Sequence, residues 1–122
     1  MTIILNGGIR TLAEIEAELP GVDGIMIGRE AYSNPYVLSD IHHKYHKEAS
    51  EPMTRHAIIM QFLGYVEQQL ATGKVTLSRM TRPLLGLFQG QPGARKWRRY
   101  LSEHAHLDHS GVETIKEALH YV

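Results

Sequence analysis

Two short apolar runs, each followed by a glycine-containing loop, constrain the fold of this chain more than any other feature. Both lie within residues 3–35, and between them residues 12–19 repeat apolar side chains at helical spacing. The first run is residues 3–5, followed by Asn6, Gly7 and Gly8, and the second is residues 25–27, followed by Gly28 and Arg29. Two strands joined by one helix must run parallel through a right-handed crossover. The segment therefore predicts a strand, loop, helix, strand and loop in that order.

Apolar strands of this kind are normally buried on both faces inside an α/β protein. The sequence contains no other convincing strand, and two strands neither close a barrel nor complete a sheet. We therefore expect this segment to be a piece of a larger α/β fold.

The two loops have the composition of an anion-binding site. Both follow the carboxyl ends of parallel strands, where α/β folds bind their ligands, and glycine lets backbone N–H groups approach a phosphate closely. Arg29 adds a guanidinium group that can make a bidentate contact. In (β/α)8 barrels the loops after the last two strands frequently form such a site. Ordinary tight turns between strand and helix are the alternative explanation.

The composition excludes several classes of protein. With 122 residues, 43% hydrophobic and 21% charged, the chain is typical of globular proteins and not of disordered or collagen-like ones. It contains no cysteine, which excludes disulfides, thiolate metal sites and cysteine-based catalysis within these residues. Its apolar runs are too short to cross a bilayer and its start does not resemble a signal peptide, so we expect a cytoplasmic protein without membrane contact.

Charge is distributed unevenly along the chain. Residues 1–51 have eight acidic and four basic side chains, residues 52–122 have five acidic and nine basic ones, and residues 74–99 include seven basic residues and no acidic residue. A block of one sign suits a polyanionic partner. A solvated basic face without a partner is the alternative.

The predicted linker is segment 47–53, which lacks apolar periodicity and contains a proline. We place the domain boundary after residue 50, so that residues 1–50 form the α/β domain and residues 51–122 an all-helical domain. Most of the chain is therefore expected to be helical.

The first domain contains two predicted helix starts. Thr11 and Glu14 form a capping box for the first helix. Asn34 is the predicted N-cap of a later helix that runs from Tyr36 to about His46, with proline at its first position.

The second domain is predicted to be a bundle of about four helices. Thr54 starts the first of them and Gly73 ends it, whereas Pro83 kinks or splits the second. Ser110 and Glu113 form a capping box for the last helix. The predicted inward-facing residues, helix by helix, are Ile58, Phe62, Tyr65, Val66 and Leu70; Leu77, Met80, Leu84, Leu87 and Phe88; Trp97 and Leu101; and Val112, Ile115 and Leu119.

The eight histidines make a zinc site conceivable. Two of them, His42 and His46, share a helix face. Three others, His104, His106 and His109, lie near Asp108. Both groups fall near predicted helix ends, where histidines are more often solvated or placed against the helix dipole, so we predict no metal site.

Three segments of the chain resemble the tRNA-dihydrouridine synthases, and within them the A-type subfamily. They are NGGI at residues 6–9, VDGIMIGREAYSNP at residues 22–35 and LLGLFQGQPGARKWRRYLSE at residues 84–103. The resemblance implies an FMN-binding TIM barrel followed by a helical tRNA-binding domain. By this resemblance, residues 1–50 are the last two βα units of the barrel, residues 51–122 are the tRNA-binding domain, and the chain is the carboxyl-terminal third of the whole.

The resemblance also assigns residues to two sites. The FMN phosphate site falls on Asn6, Gly7, Gly8, Gly28 and Arg29. Contacts to tRNA fall on Arg95 and Arg98, and the neighbouring residues expected on the same surface are Arg79, Arg82, Lys96 and Arg99. Pro83 is a departure, because similar sequences have histidine there; this puts a local tRNA contact and the continuity of the helix in question.

The family's reaction is hydride transfer from reduced FMN to the C5=C6 bond of uridine, with NADPH as reductant of the flavin and a cysteine as proton donor. This chain has no cysteine, so we expect no catalytic residue in it and no activity from it alone. We also expect it to self-associate or to pair with a missing amino-terminal barrel. A short gene product and a truncated reading frame would both have this organisation. The alternative function is a non-catalytic RNA-binding helical module.

Overall fold

The structure of the protein, a computed structural model, describes residues 1–46 and 51–122. Within it the chain forms two compact units, Met1–Pro52 and Met53–Val122. Residues 47–50 of the predicted linker lie outside the described residues. Helices predominate, and the described residues contain one two-stranded parallel sheet. The prediction of a mostly helical chain with two parallel strands is therefore confirmed.

The amino-terminal unit alternates strands and helices as expected. Its strands pair in parallel with Ile4 opposite Gly24 and Asn6 opposite Met26. Its elements are β1 (Ile4–Asn6), α1 (Leu12–Glu18), β2 (Gly24–Met26), α2 (Arg29–Ser33) and α3 (Val37–Tyr45). The pairing of Asn6 with Met26 aligns the carboxyl ends of both strands at one edge of the sheet.

The start of α1 shows half of the predicted capping box. The Thr11 hydroxyl accepts a hydrogen bond from the backbone N–H of Glu14 at 3.1 Å. The Glu14 carboxylate accepts from the backbone N–H of Arg10 at 2.8 Å, one residue before the expected donor. A salt bridge between Glu16 and Lys44 joins α1 to α3.

Asn34 does not cap α3, and this prediction was wrong. A short helix that the sequence pattern did not predict, α2, begins directly after Gly28, and the Asn34 N–H donates to the Glu30 carbonyl at 2.8 Å in its last turn. Asn34 therefore ends one helix. The N-cap of α3 is Tyr36, which makes no side-chain cap bond.

The carboxyl-terminal unit begins with α4 (Arg55–Ala71), which is capped by the Thr54 hydroxyl. Gly73 follows the end of the helix in the left-handed conformation (φ +70°), as predicted. The predicted inward face was wrong by about one residue for much of the helix. The buried side chains are Ile59, Leu63 and Val66, and Tyr65 is 51% exposed. Apolar residues cover more than one side of α4, so two registers of helical spacing were equally good in the sequence.

The remaining elements of this unit are α5 (Leu77–Thr81), a single 3-10 turn at Arg82–Leu84, α6 (Ala94–His104) and α7 (Val112–Leu119). The 3-10 turn contains Pro83, so the predicted interruption of the second helix is confirmed. All five apolar residues predicted for this stretch are buried, namely Leu77, Met80, Leu84, Leu87 and Phe88.

The last helix starts differently from the prediction. Ser110 is not the N-cap; its hydroxyl donates to the preceding turn, where the carbonyl oxygens of Leu107 and Ala105 lie 2.7 Å and 2.9 Å away. The N-cap is Gly111, whose N–H donates to the Thr114 hydroxyl at 3.3 Å. Ile115 is buried as expected. No helix in the described ranges is both long and apolar enough to cross a bilayer.

Candidate functional site

A cleft of about 410 Å³ lies at the carboxyl edge of the two strands. It forms there because the parallel register brings the loop after β1 beside the loop after β2. All five residues predicted to hold a phosphate line it. The complete lining is Asn6, Gly7, Gly8, Ile9, Arg10, Met26, Gly28, Arg29, Glu30 and Ser33.

The loop after β1 requires glycine at two successive positions. Gly7 has φ +109° and Gly8 has φ +70°, a region that side chains rarely occupy. Apart from the chain neighbours of each glycine, no atom lies within 4 Å of the position that its Cβ would take. The backbone at this edge is therefore open to a ligand.

Two guanidinium groups give the cleft its positive charge. Arg29 begins α2 and is exposed, as the predicted phosphate site requires. Arg10 also lines the cleft and was missed by sequence reasoning, although it is only two residues beyond Gly8. Within the described part of the chain neither side chain forms an ion pair. Glu30 is the one carboxylate in the lining, so the cleft is cationic on balance.

The second candidate site is the set of cations on α5, the 3-10 turn and α6, which we call the basic surface. Five of its six members are exposed, and Arg98 is half-buried. Its members are Arg79, Arg82, Arg95, Lys96, Arg98 and Arg99.

The opposite side of α6 is anchored in the core. Trp97 and Leu101 are fully buried, as predicted. The Trp97 indole N–H donates to the Leu84 carbonyl at 3.1 Å, and its ring meets Phe88 edge to face with centroids 4.8 Å apart. This packing fixes the rotation of α6 and thereby turns Arg95 toward solvent.

One member of the basic surface has a partner on the same helix. The Arg99 Nε lies 2.8 Å from a carboxylate oxygen of Glu103. This hydrogen bond raises the pKa of Arg99 and lowers the pKa of Glu103 from their ordinary values. The other five cations form no ion pair with any residue in the described ranges. Glu103 therefore neutralises one end of the surface and leaves the rest available.

The histidines that suggested a metal site do not converge. The rings of His42 and His46 stack with centroids 4.7 Å apart, and His104 bonds the Tyr100 carbonyl through Nδ1. Among residues 1–46 and 51–122 no three histidines or carboxylates are grouped as a metal would require.

Comparisons with known proteins place the chain in a family. The family model for dihydrouridine synthase (Dus) matches residues 1–121. The tRNA-dihydrouridine(20/20a) synthase of Vibrio vulnificus is 46% identical over 119 residues, 98% of this chain and 36% of that protein. The proteins of the same name from Shewanella oneidensis and Escherichia coli K12 are 45% and 41% identical and cover 97% and 100% of this chain.

The chain spans about a third of the length of the curated relatives that it matches. Its similarity to them includes both the glycine loops and the basic helix, since the family model extends from residue 1 to residue 121. The chain therefore belongs to the dihydrouridine synthase family.

Proposed function

We propose that this chain is part of a flavin-dependent tRNA-dihydrouridine synthase and supplies two binding sites to it. The glycine cleft binds the phosphate of FMN, and the basic surface binds tRNA. The observation that supports this most is the family match over residues 1–121, which includes both sites. The names of the relatives point to uridines 20 and 20a of tRNA as the bases that are reduced. We propose a cytoplasmic location on the basis of this substrate.

The cleft residues fit a phosphate group. Left-handed Gly7 and Gly8 expose the backbone, and Arg10 and Arg29 supply two cations on the same lining. In our proposal these residues hold and orient the phosphate end of FMN. The flavin itself supplies hydride transfer to uridine, with NADPH as its reductant.

We further propose that unit 1–52 belongs to a TIM barrel of which β1 and β2 are the last two strands. Ile4 and Met26 are about half exposed, although strands of such barrels are covered on both faces. Further strands of the same barrel would cover these side chains. The helical unit 53–122 is then the tRNA-binding domain.

The tRNA site rests on the geometry of α6. Arg95 and Arg98 are three residues apart, so they lie on neighbouring parts of the helix surface. Trp97 and Leu101 hold the other side in the core. A rigid helix that presents unpaired guanidinium groups is suited to phosphate contacts, which position an RNA without reading its sequence.

Binding of tRNA to the full chain at a series of salt concentrations tests this assignment. The double substitution Arg95→Ala, Arg98→Ala is expected to weaken binding and to flatten the plot of log K against log salt by roughly 0.7–0.9 for each phosphate that is no longer neutralised. Lys116→Ala is the matched control, because Lys116 is an exposed cation of the same unit that is paired with Glu113. Equal affinities and slopes for the double variant and the unmodified chain would show that the basic surface is merely solvated.

A non-catalytic RNA-binding module is the second candidate. The absence of cysteine from all 122 residues favours it, since the proposed reaction needs a proton donor. Both candidates require tRNA binding by the basic surface, and they differ in whether flavin and uridine reduction are ever involved.

A further inference from the structure

A second concave site lies between α6 and the residues after α7, at one end of the basic surface. Three rings line it. Tyr100 stacks on His104 with centroids 4.1 Å apart and an interplanar angle of 16°. Tyr121 meets the same Tyr100 at 5.6 Å and 43°. All three rings line a cleft of about 360 Å³, which we call the aromatic cleft.

The rim of the aromatic cleft is charged. Lys96 and Arg99 line it from α6, together with Glu103. Tyr121 remains 44% exposed, so its ring is accessible from solvent. The proposed phosphate contacts of Arg95 and Arg98 do not involve the three rings of this cleft.

We propose that the aromatic cleft binds an unpaired nucleobase of the RNA that the basic surface holds. The inference rests on the proposed tRNA binding and adds a base-stacking site to it. Exposed aromatic rings beside cations are the usual platform for single-stranded nucleic acid, because every base has a face that can stack and every nucleotide has a phosphate. In the aromatic cleft Tyr100 and Tyr121 supply the stacking surface, and Lys96 and Arg99 contact the adjoining phosphate.

His104 adds a polar group to this platform. Its Nδ1 lies 2.8 Å from the Tyr100 carbonyl oxygen. A carbonyl only accepts, so Nδ1 donates, and the Nε2 of the neutral ring is left as an acceptor. An acceptor beside the rings favours bases that present an N–H group.

The test measures how the full chain binds two RNA probes. One is a single-stranded oligouridylate of about ten nucleotides, a length within the span of such sites. The other is an RNA duplex of equal length. Tyr121→Leu and Tyr100→Leu are each expected to weaken binding of the single strand by about fivefold or more, because a base loses its stacking partner. Each substitution is expected to change the affinity for the duplex less than the affinity for the single strand. The salt slope stays the same in both variants, since every cation that neutralises a phosphate remains in place.

Tyr65→Leu is the matched control, because Tyr65 is an exposed tyrosine of the same unit on α4, outside the lining of the aromatic cleft. Circular dichroism checks that each variant is folded. Tyr121 is the more exposed of the two cleft tyrosines, so Tyr121→Leu provides a result even if Tyr100→Leu does not fold. Wild-type affinity of the folded Tyr121→Leu variant for the single strand would overturn the proposal.

A titration with uridine 5′-monophosphate separates this proposal from the proposed function. Shifts of the Tyr100 and Tyr121 ring resonances in NMR spectra support the aromatic cleft even if the chain fails to bind tRNA. Binding of tRNA that depends on Arg95 and Arg98, with no nucleotide-induced shift of either ring, would leave the function standing and overturn the aromatic cleft.

Discussion

The Arg99 and Glu103 pair shows how one residue can tune a charged surface. Both side chains are exposed, so the pair contributes little to stability. The pair matters more for binding, because Glu103 puts a negative charge beside a surface proposed to meet phosphates. An incoming phosphate must compete with this carboxylate for Arg99.

Glu103→Gln is therefore expected to strengthen tRNA binding by about two- to fivefold at low salt, because it frees Arg99 and removes a negative charge. Glu67→Gln, which makes the same change of net charge on α4, is the control.

The hydrogen bond from Arg99 lowers the pKa of Glu103, so the carboxylate is charged at neutral pH and is protonated only as the pH falls below the usual range for glutamate. The advantage of Glu103→Gln over wild type should shrink over that acidic range, and a tRNA-binding assay across pH checks it. A constant advantage at all pH values would contradict this explanation.

Single residues were predictable from the sequence when one strong physical cause acts on them. Trp97 and Leu101 could be predicted as buried because they lie four residues apart on one face of a largely polar helix. Gly7 and Gly8 marked a loop that only glycine forms readily. The two cap predictions failed because the sequence does not reveal where these helices begin. Asn34 ends α2, and α7 begins after Gly111, one residue later than a cap at Ser110 would require. Arg10 was missed because nothing in a linear reading places its side chain in the cleft.

The loops of the amino-terminal unit determine what the cleft can hold. β1 and β2 each have three residues, and they bring the two glycine loops together at one edge. The lining consists of ten residues from the ends of the two strands, the glycine loops and α2. These residues suit a phosphate, but they offer little apolar surface to cover a flavin ring.

We expect the purified chain to retain no stoichiometric FMN, because contacts to the phosphate alone leave the isoalloxazine ring in water. Absorbance of the flavin in the purified protein is the measurement. Addition of FMN should produce only weak binding, and Arg29→Ala should weaken it further, whereas Lys44→Ala, on α3 and outside the cleft, should not. A yellow protein with one flavin per chain would contradict this expectation.

The positions of the helices were predictable along most of the chain. Which face of each helix is buried was harder to predict. The amphipathic α6 has one apolar stripe, and its inward residues were correct. α4 has apolar residues on adjacent stripes, so the spacing alone could not choose between Ile58 with Phe62 and Ile59 with Leu63. The choice depends on what packs against the helix, which is tertiary information. The short helix α2 was missed because five residues give too little periodicity to detect.

The two units differ in how well each covers its own apolar residues. Unit 53–122 buries a set of large side chains that includes Trp97, Phe88 and Ile115. In the described part of unit 1–52 only Ile15 and Val37 are buried hydrophobic residues, whereas Ile3, Ile4 and Met26 are about half exposed. Exposed apolar strands and open strand edges favour association with other chains.

We therefore expect residues 53–122 alone to fold as a monomer and the full chain to self-associate through unit 1–52. Sedimentation velocity over a range of concentrations measures the association. Ile4→Lys should reduce it, since a charge on the open sheet face opposes contact, and Met60→Lys, an equally exposed apolar site on α4, is the control. A concentration-independent monomer for the full chain would show that unit 1–52 needs no partner.

The whole chain is expected to form no dihydrouridine by itself. The proposed reaction needs a proton donor, which the family resemblance assigns to a cysteine, and the sequence has none. Incubation with FMN, NADPH and unmodified tRNA, followed by mass spectrometry of the nucleosides, checks this. The full-length tRNA-dihydrouridine(20/20a) synthase of Escherichia coli K12 is the positive control. A mass gain of two hydrogens on uridine with this chain alone would show that another group donates the proton.

The burial of Trp97 gives the molecule an internal optical reporter. It is the one tryptophan in the sequence, and it lies fully enclosed in unit 53–122. The aromatic residues of the other unit are tyrosines, so light absorbed only by indole does not excite them. Tryptophan emission in a denaturant titration will follow the helical unit alone, and far-ultraviolet circular dichroism will follow both. The difference between the two curves isolates the melting of the strand-containing unit, without a label or a substitution.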